Sequence, residues 1–173
     1  MTPERFSGPP PLLVGIIPHQ HPEVLRTAAE LAAKLSTPLV CAYVDEASYL
    51  VEWDPARSAH RLSLHPEKDD DDIQAVTTEL KGVIEGAMND AAAGGAPVEW
   101  TLRTLAGDPA RALARLAAES NAPMIIVGTS ERGVAHRIAE ALNGSVGAWL
   151  SHHQSRPVLV VPYRKAAHQD DGL

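Results

Sequence analysis

Cysteine is almost missing from this chain: Cys41 is the only one in 173 residues. An internal disulfide and a thiolate zinc framework are thereby excluded, and a reducing compartment fits. Aromatic residues make up 4%, too few for a platform on which single-stranded bases could stack. Basic residues are outnumbered, with 15 Lys and Arg against 22 Asp and Glu and a formal charge of −7. Such a surface repels phosphate backbones and anionic lipid, which excludes nucleic acid as a partner. No apolar run approaches the roughly 18 residues of a membrane span, and Met1 to Pro11 hold no apolar core of a secretory signal. The expectation is a cytoplasmic protein with neither membrane nor nucleic-acid partners.

What is present is the composition of a globular domain, 45% hydrophobic and 21% charged, at a length that supports one core. That domain is expected over 12–163. Residues 1–11 and 164–173 carry no apolar pattern and read as flexible ends.

Leu12 to Ile17 is an unbroken apolar run closed by Pro18, the pattern of a strand buried on both faces. Pro22 opens a helix in which Val24, Ala28, Leu31 and Leu35 recur at helical spacing. A second buried strand covers Pro38 to Val44. The stretch 46–72 loses periodicity and reads as a long connecting loop, and a helical stripe from Ile73 to Ala91 follows it, ending at Gly94 and Gly95. Val98, Trp100 and Leu102 alternate with polar residues, as in an edge strand. Asp108 and Pro109 start a further helix, Pro123 to Val127 is another buried strand, and Pro157 to Val161 is the last. Strands alternating with helices predict an α/β fold, a parallel sheet with helices on both faces. In such sheets ligands bind beyond the carboxyl ends of the strands, where strand order reverses.

Gly128-Thr129-Ser130-Glu131-Arg132-Gly133 follows the fourth strand, and Gly144-Ser145-Val146 comes later. Glycines allow close backbone approach, a helix N-terminus offers unpaired N–H groups, and hydroxyls add donors, so these residues outline a phosphate cradle. A strand end followed by a turn and a helix cap explains the same residues without any ligand. Two other phosphate motifs are rejected. Val134 and Ala135 stand where a P-loop needs Lys and Ser or Thr, and after the first strand only Gly15 occurs, so the dinucleotide glycine fingerprint is absent.

The segment IIVGTSERGVAHRIAEALNGSVGAWLSHHQSRPVLVVP, with LLVGIIP and GDPARAL, resembles the universal stress protein family, and the likeness runs from Leu12 to Pro162. This resemblance implies an open five-stranded parallel sheet of order 3-2-1-4-5, adenine nucleotide alpha hydrolase-like and Rossmann-like. It also implies a homodimer made by pairing the C-terminal strands, Pro157 to Val161, and ATP as the ligand of a subset. Carried over residue by residue, it places Val44 near the adenine, Val127 and Gly128 at the end of the fourth strand, and Gly144, Ser145 and Val146 at the phosphates. Thr129, Ser130, Arg132 and Gly133 complete the loop, Arg132 being suited to bidentate contact with phosphate oxygens. The sequence departs from the family pattern at Glu131, where a second glycine is usual, and at Ile17, where binders place an Asp.

His19, His21 and His136 could border one crevice, yet they lack ligand spacing and read as solvated loop residues, with no metal site. His152 and His153 suit the carbonyls at a helix C-terminus. Asp69 to Asp72 show no EF-hand spacing. Cys41, inside an apolar run, reads as a core residue, and no catalytic set is assembled. Three functional readings follow: a non-enzymatic dimeric stress-response protein regulated by an adenine nucleotide, an ATP sensor built on the Gly128 to Ser145 loop, and a nucleotidyl transferase using His19 and His21. The sequence names no protein partner.

Overall fold

The computed structural model describes residues 8–46, 70–95, 97–129 and 145–162. Its elements in chain order are β1 (Leu12–Ile16), α1 (Pro22–Leu35), β2 (Leu39–Asp45), α2 (Asp70–Ala93), β3 (Trp100–Ala106), α3 (Pro109–Glu119), β4 (Ile125–Gly128), α4 (Val146–His153) and β5 (Val158–Val161). The five strands form one parallel sheet of order β3-β2-β1-β4-β5, as expected.

Period-two alternation of the strands builds two apolar layers. Leu12, Val14, Ile16, Leu39 and Cys41 face α1 and α2, meeting Val24, Leu25, Ala28, Leu80, Ile84 and Met88. Leu13, Val40, Ala42, Val44, Ile125 and Val127 face α3 and α4, meeting Leu113, Leu116, Ala117 and Leu150. Helix starts obey local chemistry. His21 caps α1 through Nδ1, which accepts from the Glu23 N–H, and Asp108 Oδ1 accepts the Arg111 N–H at 2.9 Å to cap α3. Prolines hold the first position of both helices.

Three boundaries differ from the sequence expectations. α2 begins at Asp70, so its first turn takes in three of the aspartates assigned to the 46–72 loop; acidic residues at a helix N-terminus are favoured by its dipole. β3 runs from Trp100 to Ala106 because its extent is set by pairing with all seven residues of β2, from Leu39↔Trp100 to Asp45↔Ala106. At the N-terminus the fold reaches back before Leu12: Pro11 is buried and Thr37 Oγ1 donates to the Pro10 carbonyl at 2.6 Å. Residues 1–7, 47–69 and 163–173, which hold most of the expected loop and flexible ends, lie outside the described residues.

Candidate functional site

Sheet order reverses between β1 and β4. β1 is followed by α1 on one face and β4 by α4 on the other, so their carboxyl ends form the switch point at which open α/β sheets bind ligands. Gly128, half-buried, ends β4 against the first turn of α1. A Cβ added there would stand 2.8 Å from Val24 Cγ2 and 3.0 Å from Gln20 Nε2. Space, not an unusual φ, therefore demands glycine at this position. Beyond it the Thr129 N–H donates to the Val161 carbonyl at 3.1 Å, which extends the β4–β5 ladder past the strand end.

On the opposite face of the sheet stands the N-terminus of α4. Ser145 caps it, its Oγ accepting the Ala148 N–H at 3.1 Å. The hydroxyl also carries a proton to donate, and the first-turn N–H groups of Val146 and Gly147 have no acceptor within the helix. Gly147 lets this turn sit close to the sheet, since a Cβ there would lie 3.1 Å from Val160 Cγ2 and 3.4 Å from Val127 Cγ2. Val44 at the end of β2, Val127 and Val146 share one apolar cluster. The structure thus brings Val44, Val127, Gly128, Thr129, Ser145 and Val146 to one end of the sheet. Ser130, Glu131, Arg132, Gly133, His136 and Gly144 lie outside the described residues.

The end of β2 is acidic. Burial, together with Asp45 and Glu46, pushes the Tyr43 hydroxyl above its ordinary range. Ile17, where an adenosine-binding Asp was sought, is 59% exposed. Of the histidines, His19 lies 3.4 Å from Glu79 on α2, His21 caps α1, and His153 Nδ1 donates to the Trp149 carbonyl at 2.9 Å, as its place near the helix end suggested. Among the described residues no group of three His, Cys, Asp or Glu could hold a metal ion, and no helix is long and apolar enough to cross a membrane. Cys41 is buried, and that burial pushes its thiol up to about 12. Gln20 was missed by sequence reasoning, because nothing in the local pattern signals its approach to Gly128 across the first turn of α1.

A family model of the universal stress protein family matches residues 11–162. The chain belongs to the universal stress protein family. Solved structures agree on the fold. A universal stress protein in complex with cAMP shares 20% identity at a TM-score of 0.56, covering 89% of this chain and 98% of its own. One from Archaeoglobus fulgidus in complex with dAMP shares 20% at 0.55, covering 87% and 95%. UspA from Lactobacillus plantarum shares 16% at 0.61, covering 89% and 99%. No curated protein matches this universal stress protein.

Proposed function

We propose that this universal stress protein is a non-catalytic dimer whose strand-end groove takes an adenine nucleotide, the phosphates at the N-terminus of α4 and the base over Val44 and Val127. The observation that carries the reading is the capped, sheet-docked helix start at Ser145, set at the sheet end beside Val44 and Val127. It presents a hydroxyl donor, first-turn N–H groups without an acceptor inside the helix and the positive end of a helix dipole. Two structural neighbours are universal stress proteins solved with cAMP and dAMP, which supports the ligand class. ATP remains the nucleotide suggested by the glycine-rich loop, with Ser130, Arg132, Gly133 and Gly144 as its further contacts.

A non-catalytic reading is supported by the residues that chemistry would need. The chain's one thiol is sealed in the core, and His19 and His21, on which a nucleotidyl transferase would rely, are engaged with Glu79 and the α1 cap. Ligand binding then acts by differential affinity for two conformations or assembly states.

Ser145→Asp separates the structural role from the binding role. Aspartate is as good an N-cap as serine, so melting should stay close to the wild-type value. Its carboxylate would face the phosphates, and affinity for ATP or AMP should fall at least tenfold, about 1.4 kcal/mol, by calorimetry. Unchanged affinity would remove α4 from the site. Absence of binding at millimolar ATP, AMP and cAMP, with no nucleotide released from freshly purified protein, would leave the dimer without its ligand.

A further inference from the structure

Phosphates add negative charge to a chain whose formal charge is already −7, and a helix N-terminus answers them with only about half an elementary charge. A full cation beside the start of α4 would tip that balance. We propose that Arg111, in the first turn of α3, is that cation, a phosphate-binding residue of the nucleotide site. The inference rests on the nucleotide reading and adds a contact to that same site.

Placement comes from two helices that share one face of the sheet. α3 and α4 pack together over Leu13, Val40, Ile125 and Val127. Both begin at the carboxyl end of the strands, α3 directly after Gly107 and Asp108, and α4 with Gly147 set against Val127 and Val160. Asp108 Oδ1 accepts the Arg111 N–H, which fixes the turn from which the arginine side chain leaves. That side chain extends to α4, where its Cζ lies over the Trp149 ring at 6.0 Å from the centroid. The Trp149 N–H donates to the Ser145 carbonyl, one turn into α4. Long side chains on a helix lean towards its N-terminus, so this ring covers the turn that Ser145 caps. The guanidinium is thereby carried from α3 to the first turn of α4, where the phosphates are placed.

Arg111 is also available. It is exposed and forms no salt bridge among the described residues. Arg26, by contrast, is held between Glu23 and Glu30, and Arg156 Nε donates to the Ala122 carbonyl ahead of β4, at the opposite end of the sheet. The ring contact of Arg111 stands at the outer limit of cation–π distance, and a phosphate would replace it with two charge-assisted hydrogen bonds to the planar fork. His153, stacked on Trp149 with centroids 4.5 Å apart and planes 6° from parallel, holds the ring in place without the guanidinium.

ATP titrated into a charge series at this exposed position tests the assignment by calorimetry on the full chain. Arg111→Met keeps an apolar stem over Trp149 and loses the charge, so ATP affinity should fall about tenfold with melting unchanged. Arg111→Lys, a point charge without the fork, should stay within about threefold of wild type, and Arg111→Glu should bind more weakly than Arg111→Met. Added salt should weaken ATP binding to wild type more steeply than to Arg111→Met. Wild-type affinity in Arg111→Met would overturn the proposal, as would equal losses in the Lys and Met variants, since the effect would then not follow charge. Weakened binding in Ser145→Asp with none in Arg111→Met would remove Arg111 and leave the nucleotide reading standing. A wild type that binds no ATP at millimolar concentration would remove both.

Discussion

Gly15 and Gly128 both leave no room for a Cβ, but they press on different kinds of neighbour. At Gly15 the closest atom would be Leu113 Cδ1 at 2.9 Å, the free end of a side chain with two rotatable bonds. At Gly128 it would be Val24 Cγ2 at 2.8 Å, on a β-branched residue locked at χ1 within a helix. Gly128→Ala should therefore displace the start of α1 and cost about 1–3 kcal/mol, while Gly15→Ala should cost less, because part of the crowding is relieved by rotation and the unfolded chain loses entropy. Denaturant melts of the two variants check the ranking, and a reversed order would mean that Val24 gives way more easily than Leu113. Cys41 makes a prediction about pH. In the folded protein burial pushes its thiol from 9.0 to about 12, whereas the unfolded chain releases the proton near the ordinary value. Stability from this group is intact below pH 9.0 and falls as pH rises towards 12, by about 1.4 kcal/mol per unit. Cys41→Ala should lose stability less steeply than wild type over that range, and parallel curves would refute the assignment.

At the scale of elements, legibility followed from whether a signal was local. β1, β2 and β4 were readable because burial on both faces leaves an uninterrupted apolar run, and α1 and α3 because a proline and a cap mark their starts. Gly128 and Ser145 were legible for the same reason: a glycine at a strand end and a serine before a helix announce themselves within a few residues. The sequence pattern starts β3 too early because the strand's limits are imposed by β2, a neighbour in space and not in sequence. The sequence pattern starts α2 late because acidic residues look like solvated loop when read alone and like a favoured first turn once the helix exists. Gln20 was invisible on the same grounds. Its packing against Gly128 exists only when α1 has docked beside β4.

For the whole molecule, the two outer strands of the sheet, β3 and β5, differ in how they meet a partner. The outer strand β3 carries Arg103, and charge on an edge discourages pairing, whereas β5 is Val-Leu-Val-Val with no charge at all. Hydrogen bonding fixes which β5 residues face outward. The Ile125 N–H donates to the Pro157 carbonyl and the Thr129 N–H to the Val161 carbonyl, so in this parallel ladder Pro157, Leu159 and Val161 address β4. The main-chain groups of Val158 and Val160 point away from the sheet. A two-fold partner pairing antiparallel along this edge would use those groups and cover Val160, which is 42% exposed. Proline at Leu159 would attack the β4–β5 ladder itself, but Val160→Pro removes only an outward N–H. Light scattering should show Val160→Pro as a folded monomer. Thr104→Pro on β3, whose N–H likewise faces away because the Leu39 N–H donates to the Glu99 carbonyl, should remain a dimer. A dimer that survives Val160→Pro, or is lost in Thr104→Pro, would move the interface away from β5.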